Sequence, residues 1–266
     1  MKIIMLGTGH AMTTKCFNTC FLIEDKNEYF LIDTGGGNQI LSIFENLDIE
    51  ISKIKNIFIT HKHLDHLNGI FWIIRKILSK YRNKKTNYKL NIFSHKDVLD
   101  IINYFLNSIF SKKDLSETKR LTNFIEIKDK DSIKWNDNEF TFFDINASKA
   151  KQFGFELKFL NKRITCLGDE PFNESSIKYV KNCDYLMCEA FCTDEEKDIF
   201  KPHEKHHSTV KDVCLNLKDM NVKNLILYHC DDTNLKDRKI KFLNEAKSYF
   251  SGRIFVPYDL EIIEIK

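Results

Sequence analysis

Three histidines and an aspartate fall within six residues at His61, His63, Asp65 and His66, in the stretch NIFITHKHLDHLNG at 56–69. Imidazole nitrogens and carboxylate oxygens are the donors that hold zinc, manganese or iron. In extended backbone, side chains two residues apart point the same way, so His61 and His63 can grip one ion together. Asp65 and His66 come where the chain turns into a helix. Their side chains leave in a new direction and can hold a second ion close by. A surface cluster on a solvated turn is the plain alternative, and an isolated H-x-H is common. H-x-H-x-D-H directly after an apolar, β-rich run is far rarer, and that context favours metal binding. Two more candidates close apolar runs in the second half. Asp169 follows the run at 163–167 through Gly168, a way to set one carboxylate in a cleft, although turns also favour Asp. His229 ends the run NLILY, placed as His61 and Asp169 are.

The elements that must position these groups are legible in the hydrophobic pattern. Runs at 2–6, 18–23, 29–32, 56–60 and 90–93 read as strands, with helices at 38–46, 67–80 and 97–110. A charged excursion at 111–119 reads as a surface loop or short helix. Strands follow at 124–127, 140–145, 153–159, 163–167, 184–188 and 224–228, and near 253–256 and 261–265. Helices are expected at 175–180, from the HEKHHST segment to 217, and at 235–250. The third strand runs into DTGGG at 33–37. That spacing is not G-x-G-x-x-G and no P-loop lysine follows, so it reads as a tight turn flooring the metal site. His95, alone after the fifth strand, reads as a surface or capping residue. Strands, then strand–helix alternation, then strands again predict two mixed β-sheets packed together with helices outside, in one domain over 1–266.

The composition bounds the function. Hydrophobic residues make up 42% of 266, enough for a large core. Lys and Arg number 41 against 38 Asp and Glu, a net charge of +3. That is no electrostatic footprint for nucleic acid, so RNA is possible but not favoured, through a local basic groove. Eight cysteines without a C-x-x-C read as reduced thiols in a cytoplasmic protein. The opening apolar run stops at Leu6, unlike a signal peptide, and nothing approaches the ~20 apolar residues of a membrane span.

The H-x-H-x-D-H motif resembles the signature of the metallo-β-lactamase superfamily of metal-dependent hydrolases. The order LGTGHAM, NTCFLI, FLIDTGGGNQIL, GDE, CEAF, HHST and LYH is similar to its ribonuclease Z branch. The resemblance implies an α/β architecture, an αββα sandwich with the site at one edge. It implies two divalent metal ions, zinc first, with manganese or iron as alternatives. His61, His63, Asn146 and Asp169 would hold one; Asp65, His66, Asp169 and His229 the other. Asp33 would brace the metal-binding loop by hydrogen bonds. A water between two such ions loses its proton near neutral pH and can attack phosphorus, with Asp65 as both ligand and candidate base. In ribonuclease Z the H-S-T histidine faces the scissile phosphate and a glutamate orients it. His207 and Glu189 match, and an imidazole held by a carboxylate is a ready proton donor for a leaving alkoxide. Ser208 or Thr209 could instead make this segment a helix cap. His203 and His206 read as bystanders. A homodimer is implied by the resemblance alone.

Two departures bear on the activity. The family's third ligand to the first metal is a histidine, whereas FFDINASKAKQFGF offers Asn146, or Ser148 if the loop shifts. An amide oxygen is a weaker, harder ligand than imidazole, so the first site is expected to be weak or to take an oxygen-loving ion. The long arm with which ribonuclease Z clamps tRNA has no counterpart in the 23 positions from Asn146 to Asp169. The expectation is therefore a phosphodiesterase using a binuclear centre. The alternatives are a tRNA 3′-end nuclease with another clamp, a hydrolase of lactones, thioesters or sulfate esters, or a non-catalytic metal-binding module. Retention of Asp65, Asp169, His207 and His229 argues against the last.

Overall fold

The computed structural model describes residues 1–266, which divide into two compact units. The first comprises Met1–Gly7, Phe17–Ile127 and Leu260–Lys266; the second comprises Thr8–Cys16 and Lys128–Asp259.

In the first unit, β1 (Lys2–Gly7), β2 (Cys20–Asp25), β3 (Glu28–Ile32), β4 (Ile54–Phe58), β5 (Leu90–Ser94), β6 (Thr122–Glu126) and β14 (Ile262–Glu264) form one sheet in the order β14-β1-β2-β3-β4-β5-β6. Pairing is antiparallel from β14 to β3 and parallel from β3 to β6. The β2–β3 hairpin turns at Lys26 and Asn27, both at positive φ, the twist that matches right-handed strands. The parallel strands are linked through α1 (Gln39–Asn46), α2 (Leu64–Leu67), α3 (Gly69–Tyr81), α4 (Lys96–Ile109) and α5 (Lys112–Leu121). Ile70, Ile73, Ile74 and Ile77 of α3 recur at the spacing of one helical face and pack into the cluster that holds Leu22, Ile57 and Ile92 of the sheet.

The second unit repeats the plan. Its strands are β7 (Ser132–Trp135), β8 (Asn138–Asp144), β9 (Phe153–Phe159), β10 (Lys162–Cys166), β11 (Tyr185–Glu189), β12 (Asn224–Tyr228) and β13 (Arg253–Phe255), side by side in that sequence. Pairing is antiparallel from β7 to β10 and parallel from β10 to β13. Helices α6 (Ile177–Val180), α7 (Lys197–Phe200), α8 (Val210–Asn216) and α9 (Leu235–Tyr249) accompany them. Val213 and Cys214 of α8 and Phe242 and Ala246 of α9 pack with Leu225 and Leu227 of β12. Two mixed sheets, each with its helices, match the expected fold class.

Several boundaries move for physical reasons. The strand expected at 56–60 ends at Phe58, whose carbonyl accepts the Asp33 N–H at 2.8 Å. From there the Asp33 carboxylate takes over, accepting the Thr60 N–H at 2.8 Å. The helix expected at 67–80 starts earlier and breaks into α2 and α3 around Asn68. A Cβ on Gly69 would stand 1.9 Å from the Thr34 carbonyl oxygen, so the break needs glycine. The charged excursion at 111–119 is helix α5, capped by the Ser111 hydroxyl accepting the Asp114 N–H at 3.1 Å. Strand β7 and helix α7 have four residues each, too short for their periodicity to register. The eight cysteines are free thiols, and no helix is long and apolar enough to cross a membrane.

Candidate metal centre and proton donor

In the first unit, the loop after β4 and helix α2 carry the histidines. The Asp33 carboxylate anchors them. Oδ2 accepts the His66 Nδ1–H at 2.7 Å and the Thr60 hydroxyl at 2.9 Å. The Thr60 hydroxyl also meets His61 Nδ1 at 2.9 Å. Both bonds use Nδ1, which fixes each ring's orientation and turns its Nε2 away from Asp33 and Thr60. His61 Nε2 lies 2.8 Å from His63 Nδ1, as expected of side chains two residues apart in extended backbone. His66 Nε2 lies 3.3 Å from Asp65 Oδ2. Burial opposes charge on His66, yet the carboxylates of Asp65 and Asp33 raise its pKa well above the usual value. The same carboxylates make this a place for a cation. The glycine turn approaches closely: a Cβ on Gly36 would stand 3.7 Å from Asp65 Cα, and Thr34 binds the His66 carbonyl through its N–H and its hydroxyl, each at 2.8 Å.

In the second unit, Asp169 and His229 follow the ends of β10 and β12, and His229 Nε2 lies 3.6 Å from Asp169 Oδ2. Asp169 is set by its neighbours. Its N–H donates to Gln152 Oε1 at 2.8 Å, and the Tyr228 hydroxyl donates to the Gly168 carbonyl at 2.5 Å. Glu189, at the end of β11, is fully buried and accepts the Ser208 N–H at 2.7 Å. Its other oxygen lies 3.4 Å from His207 Nδ1. Burial raises the Glu189 pKa, with His207 and the Ser208 N–H opposing. For His207, burial works against the charged ring, but Glu189 outweighs it and holds the pKa above the ordinary value. This is an imidazole kept ready to give a proton.

Within the first unit, His61, His63, Asp65 and His66 come together with Asp33. Within the second, Asp169, His229, His207 and Glu189 come together. The imidazole and carboxylate donors of His61, His63, Asp65 and His66 in the first unit, and of Asp169 and His229 in the second, are of the kinds that bind divalent ions. Asn146 is exposed at positive φ, its N–H bonded to Asp144 Oδ1 at 2.8 Å. The Ser148 hydroxyl meets Glu170 Oε1 and His206 Nδ1, each at 3.1 Å. His95 is not a surface residue: it is 1% exposed, and at the N-cap position of α4 its side chain makes no capping bond. Thr209 caps α8 in a capping box with Asp212, so the HHST segment serves as a cap as well. Thr60, Gln152 and Tyr228 were not singled out from sequence. The signal for Thr60 and Tyr228 is their place directly before His61 and His229.

The solved structures similar to this chain have the metallo-β-lactamase fold. The YhfI protein of Bacillus subtilis, described as a metallo-β-lactamase fold protein, matches with a TM-score of 0.76 at 17% identity, covering 99% of each chain. Human tRNase Z, short form, matches with a TM-score of 0.77 at 19% identity over 100% of both chains. A ribonuclease Z from Staphylococcus carnosus is 23% identical over 100% of both chains. These matches show the metallo-β-lactamase fold. Within it, residues 1–249 match the model of the family described as anti-Pycsar protein Apyc1, and the chain belongs to that family.

Proposed function

We propose that the chain is a metal-dependent hydrolase that cleaves phosphodiesters. The observation that carries this reading is the Glu189–His207 pair, a braced imidazole in the same chain as a set of oriented nitrogen and oxygen donors. In this reading His61, His63, Asn146 and Asp169 would hold one divalent ion, and Asp65, His66, Asp169 and His229 would hold the other. The donors suit zinc first, then manganese or iron. Such ions supply Lewis acidity, which acidifies a water and offsets charge on phosphoryl oxygens. Asp33 and Thr60 hold the histidine rings in their ligand tautomers. Asp65 takes the proton of the attacking water. Glu189 keeps His207 turned and protonated, and His207 Nε2 gives its proton to the leaving oxygen.

RNA cleavage is the second reading, favoured by the relative named ribonuclease Z. The test is hydrolysis of bis(4-nitrophenyl) phosphate and of a tRNA precursor by the purified chain, before and after chelation. The expected result is turnover of the small diester, lost with chelator and restored by zinc or manganese. Turnover of the precursor alone would favour the second reading. Hydrolysis of lactones or thioesters with no diester cleaved would contradict both.

A further inference from the structure

Phe191 completes the CEAF segment, yet the proposed chemistry gives it no task. It is 1% exposed and stands where three groups meet. The His207 ring lies over it nearly parallel, at 19° with centroids 5.2 Å apart. The His10 ring packs against it at 4.6 Å. The Lys205 ammonium sits 4.7 Å from its centroid. Phe191 is itself held by its backbone, its N–H donating to the Ser208 carbonyl and its carbonyl accepting the Asp231 N–H, both at 2.9 Å. His10 is held too. Its Nδ1 accepts the Met12 N–H at 3.3 Å, and its Nε2 lies 3.5 Å from Asp231 Oδ2. With both nitrogens engaged, His10 is a fixed neighbour of Phe191, its ring tilted 49° to it.

We infer that Phe191 is the positioning residue for His207: its ring, packed against His10, keeps the imidazole in the one plane that holds Nδ1 on Glu189 and aims Nε2 at the leaving oxygen. The Glu189 contact at 3.4 Å would by itself leave an imidazole free to turn about its Cβ–Cγ bond, and the His229 ring meets it only at a tilt, 5.3 Å away at 39°. A flat aromatic surface removes that freedom, because offset parallel stacking fixes the ring plane while permitting no large tilt. An imidazolium gains further from facing the electron-rich ring.

This inference rests on the phosphodiesterase reading, and its test separates the two. Phe191→Leu keeps an apolar side chain and removes the ring; Phe191→Tyr keeps the ring. Two diesters distinguish need for the proton donor. Bis(4-nitrophenyl) phosphate loses a stable phenolate that departs unprotonated, whereas the dinucleotide UpU loses an alkoxide that must be protonated. For Phe191→Leu, kcat on UpU is expected to fall about tenfold or more, part of the ~10²–10⁴ a general acid supplies, with KM within about twofold. Activity on bis(4-nitrophenyl) phosphate is expected to stay within about twofold, and Phe191→Tyr to restore UpU cleavage. An equal loss on both diesters, or no loss on either, would overturn the inference. If the wild-type chain cleaves neither diester, the phosphodiesterase reading fails, and the crystal structure of Phe191→Leu still decides the positioning. His207 leaving Glu189 supports it; His207 unmoved overturns it. Should Phe191→Leu fail to fold, His10→Gln removes the neighbouring ring from a more exposed position. It is expected to shift the ratio of the two activities in the same direction, and an unchanged ratio would overturn the inference.

Discussion

Asp33 receives the His66 imidazole, the Thr60 hydroxyl and the Thr60 N–H through one carboxylate, all within 3 Å. In the proposed metal centre its contribution would be made through orientation. Asp33→Ala should weaken metal affinity by about 10–100-fold, read by competition with a chromophoric chelator; unchanged affinity would show that the rings need no brace. Asp65 has two roles in the proposed reaction. Asp65→Ala should abolish diester turnover while circular dichroism and the unfolding midpoint stay near wild type, and turnover at the wild-type rate would sink the mechanism. Asn146→His replaces an amide oxygen by imidazole and should tighten the weaker metal site in the same titration; no change would remove Asn146 from the ligand set. At this scale the sequence shows what spacing can carry. His61, His63, Asp65 and His66 lie within one turn of chain, and residue type announces their chemistry. Gln152, which holds Asp169 from 17 positions away, is invisible to any local pattern.

The elements were legible where their periodicity ran long enough. Strands β9 and β12 have the ends that their apolar runs predict, and α9 differs by one residue. The β4 boundary failed because a side chain replaces the backbone partner at Thr60, a contact formed only once β3 is paired alongside. The break between α2 and α3 has the same origin, the Thr34 carbonyl crowding Gly69. Gly69→Ala should therefore destabilise the chain by roughly 1–3 kcal/mol, the range for overpacking, measured by urea unfolding. A smaller effect would mean that the turn at Thr34 gives way easily. Thr209 accepts the Asp212 N–H at 3.1 Å and tops α8. Thr209→Ala should cost about 1 kcal/mol and move Ser208, the residue that donates to Glu189. A midpoint equal to wild type would contradict the cap.

At the scale of the whole molecule, charge is nearly balanced and stability should depend on carboxylate networks. Burial works against the Glu196 and Asp212 carboxylates. Lys241, Thr193 and Asn234 outweigh it for Glu196, and His203 and Thr209 for Asp212, so both are held below the usual range. A depressed folded pKa means stability present above the unfolded values, near 3.9 and 4.3, and lost as pH falls through the folded ones. The metal-free protein should accordingly lose its urea midpoint progressively as pH falls from about 5 to below about 4; a midpoint that rises across that acid range would contradict this. Two mixed sheets with outer helices were readable from the order of strands and helices. The chain's passage between units at Gly7, Cys16, Ile127 and Asp259 was not, because it depends on which strands pair: β14, last in the chain, lies against β1. The central claim is that one chain carries a binuclear metal centre, and elemental mass spectrometry of the protein purified without added metal tests it most directly. Two divalent ions per chain are predicted; one ion or none would contradict the account.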